Sequence, residues 1–109
     1  MTYLDFLRIA LLKASKIAKD YFGKTTSKLK KDNTVVTEAD FAVGKFIIQE
    51  IEKAFPSYNI INEETGAVDN GSEFSFVIDP IDGTSNFSQG LPHYGVMLGL
   101  LKESEVINL

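Results

Sequence analysis

The stretch Asp79-Pro80-Ile81-Asp82-Gly83-Thr84-Ser85-Asn86-Phe87 decides how the chain around it folds. It follows an apolar run at 74–78 that is typical of a short β-strand. Pro80 fixes φ and has no N–H, so we expect the strand to end there. The residues 82–84 are turn formers that can open a helix. A strand end that joins two carboxylates to a helix N-terminus can hold a divalent metal and a phosphate.

Length and composition predict one small globular domain over residues 1–109. The chain is 44% hydrophobic and 24% charged, an ordinary globular balance. It has no cysteine, which excludes disulfides and thiolate metal sites. No apolar run approaches the ~20 residues of a membrane span, and Asp5 and Arg8 interrupt the apolar segment 4–12. We therefore expect a soluble cytoplasmic protein without a membrane partner.

The net charge of −4 conceals an asymmetry along the chain. Residues 1–31 carry eight Lys or Arg against two acids, whereas residues 32–109 carry three Lys against thirteen acids. The basic part suits phosphate, RNA or an acidic partner. The alternative is a solvated helix face followed by a lysine-rich loop, which the lack of an arginine cluster favours.

Two stretches carry the caps and periodicity of helices. Thr2-Tyr3-Leu4-Asp5 is a capping box, and apolar residues then recur every three or four positions, which predicts a helix over 3–22. Gly23 stands where a helix C′ residue belongs. Thr37-Glu38-Ala39-Asp40 repeats the capping box and opens a second helix, which Pro56 stops.

Short apolar runs predict the strands. The runs lie at 58–61, 74–78, 93–101 and 106–109, while the polar residues 24–34 form either a hairpin or a mobile loop. We expect an α+β architecture of two helices packed on an antiparallel sheet. Because the chain stops inside the last strand, it is expected to be the first part of a larger, truncated protein.

Gly44 lies inside the second predicted helix, where glycine costs about 1 kcal/mol relative to alanine. A glycine retained at such a cost predicts close packing, and we expect the first helix to be its neighbour.

Acidic residues follow two of the predicted strands. Glu63 and Glu64 follow the strand at 58–61, and Asp79 and Asp82 follow the strand at 74–78. If these strands are neighbours, the carboxylates share one crevice and a hard divalent cation relieves their repulsion. Oxygen ligands favour Mg²⁺ or Mn²⁺ over zinc. The alternative is that each aspartate is an ordinary turn former.

Three further positions leave alternatives open. Asp40 is either an N3 capping residue or an acid that orients a water in the crevice, and the sequence favours the cap. Gly83 and Thr84 either bind phosphate oxygens with their amides or form an ordinary turn. The Ile81 carbonyl lies between the two aspartates and is a candidate fourth metal ligand. His93 is expected to be a surface residue.

Three elements resemble the inositol monophosphatase family. Residues 79–87 are similar to its signature Asp-Pro-(Ile/Leu)-Asp-Gly-Thr-x-Asn-Phe. Val36-Thr37-Glu38-Ala39-Asp40 resembles its Val-Thr-x-x-Asp element, and Asn62-Glu63-Glu64 resembles its Gly/Thr-Glu-Glu element. The order of the elements also agrees, and the segment 90–94 resembles the stretch that follows the signature in bacterial members. The resemblance implies the N-terminal part of a layered sugar-phosphatase fold.

The resemblance also implies a Mg²⁺-dependent hydrolase of the lithium-sensitive phosphatase superfamily. It implies two or three ions, held by Glu63, Asp79, Asp82 and the Ile81 carbonyl. Asp82 with Gly83 and Thr84 would hold the substrate phosphate. Glu63 and Thr84 would position and deprotonate the attacking water, with Asp40 in support. The implied partners are a small phosphate monoester and, for the full-length family, a second copy in a homodimer.

One departure from the family pattern limits these expectations. The last metal-binding aspartate of the family lies in a Trp-Asp motif, and this chain has no Trp. The 109 residues alone are therefore expected to hold an incomplete site. Two other functions stay open: a regulatory protein of the transcription machinery, for which the basic residues 1–31 are the support, and an inactive truncated gene product.

Overall fold

The computed structural model describes residues 2–24, 27–29, 35–62, 64–103 and 105–106. Within them, three helices and seven strands follow one another along the chain. In order these are α1 (Tyr3–Tyr21), β1 (Ser27–Leu29), β2 (Val35–Thr37), α2 (Glu38–Ala54), β3 (Asn59–Asn62), β4 (Gly66–Val68), β5 (Phe74–Asp82), α3 (Thr84–Ser88), β6 (Gly95–Lys102) and β7 (Glu105–Val106).

The two long helices begin and end close to where the sequence predicts. At the start of α1 the Asp5 amide donates to Thr2 Oγ1 at 3.1 Å, and the Thr2 amide donates to the Asp5 carboxylate at 3.4 Å. Gly23 follows the helix with φ 77°, as a C′ glycine should. The second helix, α2, ends at Ala54, two residues before Pro56. The predicted capping boxes are confirmed at both helices.

Five strands form one mixed sheet in the order β4-β3-β5-β6-β7. Every neighbouring pair is antiparallel except β3 and β5, which run parallel. The α+β prediction is confirmed, with this one pairing as a correction to the expected antiparallel sheet. The reason is β4, which returns along the outer edge of β3, so that β5 enters in the same direction as β3.

The central strand β5 continues through Pro80, so the prediction that it ends there was wrong. Its ladder with β6 pairs Asp79 with Met97 and Asp82 with Gly95, which places a one-residue bulge between the aspartates. Proline has no N–H to donate to a ladder, and a bulge is the place within a sheet where none is needed.

One face of the sheet is covered by α1 and α2. Alternate residues of the central strands are buried beneath the helices, namely Ile60, Phe76, Ile78 and Leu100. Six aromatic rings from α1, the segment between α2 and β3, and β5 pack together at one end of this core, namely Tyr3, Phe6, Phe55, Tyr58, Phe74 and Phe76. No described element covers the opposite face, where Ile61 is 43% exposed and Met97 is 54% exposed.

Two smaller predictions can also be compared with the structure. The hairpin alternative for 24–34 is supported, because β1 pairs with β2, although residues 30–34 lie outside the described part. None of the described helices is long and apolar enough to cross a membrane.

Candidate functional site

The carboxyl ends of β3 and β5 lie at the same edge of the sheet. The strands are parallel neighbours, with Asn62 level with Ile78 in the register. Glu64 lies two residues after Asn62, and Asp79 directly follows Ile78. The structure confirms that the two strands are neighbours. Glu63, the central residue of the predicted acidic crevice, lies outside the described residues. We refer to this end of β3 and β5 as the acid edge.

The bulge in β5 brings Asp79 and Asp82 to the same face. Residues three apart on a regular strand point to opposite faces. Here their partners are Met97 and Gly95, which are two apart on β6 and therefore share a face. The extra residue of the bulge thus aligns the two aspartates, which the sequence motif alone does not reveal. Asp79 is partly buried and Asp82 is exposed.

Asp40 is fully buried and holds three hydrogen-bond donors. Its Oδ2 accepts from the Thr37 amide and from the Thr37 hydroxyl, both at 2.8 Å. Its Oδ1 is 3.0 Å from the Thr84 hydroxyl. A buried carboxylate is tolerable when donors of this kind surround it. Asp40 therefore caps α2, as predicted, and also contacts the signature stretch, 44 residues away.

The Thr84 hydroxyl lies between two acceptors. Its Oγ1 is 3.0 Å from the Asp40 carboxylate and 2.8 Å from the Ile81 carbonyl. A hydroxyl has one proton, so it donates to one of these acceptors at a time and keeps its lone pairs for another donor. Two predicted site residues and one predicted carbonyl ligand are thus joined in a single hydrogen-bonded group.

Gly83 has a backbone reason to be glycine. It precedes the five-residue helix α3 with φ 83°, a left-handed conformation that favours glycine. A Cβ built at this position would lie 2.7 Å from the His93 carbonyl oxygen. The close approach that was expected from a ligand is made in this structure by the chain itself. His93 is exposed, as predicted.

The donors at the acid edge fit Mg²⁺ in kind. They are the carboxylates of Asp79 and Asp82 and the Ile81 carbonyl, all oxygen atoms, which suit a hard cation. Among the residues that the structure describes, no three acidic or histidine side chains come close enough together to hold a metal. The described part therefore supplies the right donor chemistry but not a full set of ligands.

Sequence reasoning missed Thr37 and Asn62 as parts of this region. Both are 2% exposed. The Thr37 hydroxyl donates to the Asp40 carboxylate, and Asn62 Oδ1 accepts from the Glu64 amide. A polar residue at a strand end beside an acidic pair was the available signal for Asn62. Its burial depends on α2 packing above it, which no local pattern shows.

The chain matches the model of the inositol monophosphatase family over residues 2–108. The chain belongs to the inositol monophosphatase family. It is 36% identical over 108 residues to a fructose-1,6-bisphosphatase/inositol-1-monophosphatase of Aquifex aeolicus, covering 96% of this chain and 41% of that protein. It is 42% identical over 101 residues to the Nus factor SuhB of Pasteurella multocida, covering 86% of this chain and 38% of that protein.

The fold agrees with solved members of the family. A Thermotoga maritima IMPase superposes with a TM-score of 0.88 and 34% identity, covering 97% of this chain and 42% of that one. The α+β class and the family resemblance are thereby confirmed. The chain spans about two fifths of the length of these relatives.

Proposed function

We propose that the whole protein is a Mg²⁺-dependent phosphomonoesterase that hydrolyses inositol monophosphate or a related sugar phosphate with water. The observation that carries this proposal is the hydrogen-bonded group of Asp40, Thr84 and the Ile81 carbonyl beside the two aligned aspartates. The group joins a buried carboxylate to a hydroxyl at the edge where oxygen ligands collect. The family membership supports the same class of reaction.

In this proposal Glu63, Asp79, Asp82 and the Ile81 carbonyl hold the Mg²⁺ ions, two or three in number, and Mn²⁺ is an acceptable substitute. When bound, the ions supply positive charge that favours attack on the phosphoryl group. The two described aspartates need no movement to face the same side of the sheet, which supports their shared role.

The proton-handling residues are proposed to be Thr84, Asp40 and Glu63. With its proton directed to the Asp40 carboxylate, the Thr84 hydroxyl presents lone pairs that accept a hydrogen bond from the attacking water. Glu63 accepts the proton of that water. Gly83 and Thr84 hold the phosphate of the substrate, and Asp82 would assist by holding a metal ion beside it.

The proposal extends to the surroundings of the enzyme. We place the whole protein in the cytoplasm as a homodimer. Its small-molecule partner is a phosphate monoester, the substrate. One relative is named a fructose-1,6-bisphosphatase/inositol-1-monophosphatase, and this name supports sugar phosphates as the substrate class.

A phosphate-release assay on the whole protein tests this function. We expect release from inositol monophosphate or fructose bisphosphate with Mg²⁺ and none with a chelator. Asp79→Asn should lower the rate by about 10² or more, because it removes charge from a ligand. Asp20→Asn, an exposed aspartate in the last turn of α1, is the matched control and should keep the rate. The proposal would be contradicted if neither inositol monophosphate nor fructose bisphosphate released phosphate in a Mg²⁺-dependent way.

A second candidate function is a regulatory role with the transcription machinery. A relative named Nus factor SuhB and the basic residues 1–31 favour it. Reversing the charges of Lys28, Lys30 and Lys31, whose side chains lie outside the described part, should abolish capture of transcription factors in a pull-down. Unchanged capture would remove this candidate's sequence support.

A further inference from the structure

Asn62 is a buried polar residue at the end of β3. It is 2% exposed, and its Oδ1 accepts a hydrogen bond from the Glu64 amide at 3.0 Å. Its Nδ2 is buried without a hydrogen-bond partner among the described residues. Leaving a buried amide unpaired in this way is destabilising, so an apolar side chain would serve packing better. The hydrogen bond that Asn62 Oδ1 accepts from the Glu64 amide therefore explains why a polar side chain stands here.

The same side chain lies where α2 and β5 meet. A Cβ built on Gly44 would be 2.9 Å from Asn62 Nδ2 and 3.3 Å from Pro80 Cγ. The nearest neighbours of Gly44 are thus in the sheet, and the expectation that it packs against the first helix was wrong. Glycine is needed here because the Asn62 amide occupies the space where a side chain would stand.

Each neighbour of Asn62 belongs to a segment that carries an acid of the proposed site. Gly44 lies one turn after Asp40 on α2, and Ile78, the register partner of Asn62 on β5, lies directly before Asp79. Asn62 itself holds the backbone of Glu64. Asn62 therefore lies between α2, which carries Asp40, and β5, which carries Asp79, and its side chain also holds the Glu64 amide.

We propose that Asn62 is a positioning residue for the acid edge. Its amide sets the spacing between α2 and β5, and its Oδ1 holds the backbone that follows β3. The carboxylates of Asp40 and Asp79 are thereby placed before any ligand binds. This inference rests on the proposed function, because it assigns Asn62 to the metal-binding edge. Residues behind metal ligands typically change metal affinity about 10–100-fold when they are replaced.

Two variants whose new side chains match each other in shape, threonine and valine, test the role of Asn62 Oδ1. Asn62→Thr keeps an oxygen that can accept from an amide two residues on, whereas Asn62→Val does not. In the whole protein we expect Asn62→Val to weaken Mn²⁺ binding about tenfold and Asn62→Thr about threefold or less, measured by electron paramagnetic resonance. Hydrogen exchange of the Glu64 amide should become faster in Asn62→Val and stay slow in Asn62→Thr.

A third variant tests the contact with α2 from the other side. Gly44→Ala should weaken Mn²⁺ binding although alanine has the higher helix propensity, because its Cβ displaces the Asn62 amide. Adding Asn62→Ser, whose shorter side chain leaves room for the Cβ, should recover part of the binding. Urea unfolding without metal verifies that each variant is folded.

The outcomes separate this inference from the proposed function. Equal Mn²⁺ affinity and equal Glu64 exchange in the Thr and Val variants would overturn the role of Asn62. If the unaltered whole protein binds no Mn²⁺, the proposed metal chemistry fails. The exchange experiment then decides alone: faster exchange only in Asn62→Val supports the hold on Glu64, and no difference refutes it.

Discussion

At Gly83 both the backbone angle and the nearby His93 backbone of the same chain disfavour a residue with a side chain. Gly83→Ala adds the cost of a left-handed conformation, about 1–2 kcal/mol, to a contact of 2.7 Å with the His93 carbonyl. Backbone cannot move aside as a flexible side chain does. We expect a loss of about 3 kcal/mol in the free energy of unfolding, measured with urea.

Gly90→Ala is the matched control for Gly83. Gly90 has a similar φ of 76°, but a Cβ there would meet nothing within 4 Å. Its replacement should cost only the conformational part, about 1–2 kcal/mol. Equal losses at the two glycines would show that the contact with His93 adds nothing.

The raised pKa of Tyr58 predicts that the free energy of unfolding falls at alkaline pH. Burial, together with the hydrogen bond to the Tyr3 hydroxyl, raises the pKa of Tyr58 to about 12 from an ordinary value of 10.0. The folded state therefore keeps a proton that the unfolded state releases first. The stabilisation is complete below pH 10 and is lost as the pH rises from about 10 to 12.

Urea unfolding between pH 9 and about 12 measures this effect. Tyr58→Phe should show a shallower fall of stability over that range, since the linked proton is gone. Tyr21→Phe, at the other end of α1, should keep the slope of the unaltered protein. Identical slopes in all three proteins would contradict the assignment to Tyr58.

Among the elements, α2 has the more consequential cap. The cap of α1 at Thr2 is exposed, whereas Thr37 is buried and gives both its amide and its hydroxyl to Asp40. Thr2→Ala should cost about 1 kcal/mol. Thr37→Ala should cost about 2–3 kcal/mol, because it also takes a donor from a buried carboxylate. Urea unfolding of the two variants would refute this ranking if the losses were equal.

The strand β5 shows how a motif can mislead about an element. A proline normally ends a strand, and the sequence predicted an end at Pro80. The bulge accepts the proline, extends the strand to Asp82 and turns Asp82 to the face of Asp79. The feature that seemed to interrupt the element is the one that aligns the two carboxylates.

At the scale of the whole molecule, the sheet has one open apolar face that no described element covers. Ile61 and Met97 are exposed on the side away from α1 and α2. Met97→Lys and Ile61→Lys should reduce self-association of the chain in sedimentation experiments, because they place charge on an apolar face. They should change the free energy of unfolding by no more than about 0.5 kcal/mol, as exposed positions do.

Leu12→Lys is the control for this prediction. Leu12 is 68% exposed, but it lies on α1 rather than on the open face. It should leave self-association unchanged. If it reduced association as much as Met97→Lys, the helix surface rather than the sheet would be responsible.

Much of the fold was predictable because its signals are local. The helix predicted over 3–22 is observed as Tyr3–Tyr21, since periodicity and caps lie within the helix itself. The strand β4 lies outside the apolar runs that predicted the strands, and its residues 66–68 begin with glycine and are exposed. It forms by pairing with the edge of β3, and a pairing partner is not a local signal.

The sequence by itself determined the family signature, the all-oxygen chemistry of the candidate site and the helix caps, since each depends on residues close together in the chain. Only the tertiary structure decided that Asp79 and Asp82 share a face and that Asp40 meets Thr84. It also decided that Asn62 lies beneath Gly44. These relations depend on where separate elements meet, and packing across the sheet, rather than spacing along the chain, sets that geometry.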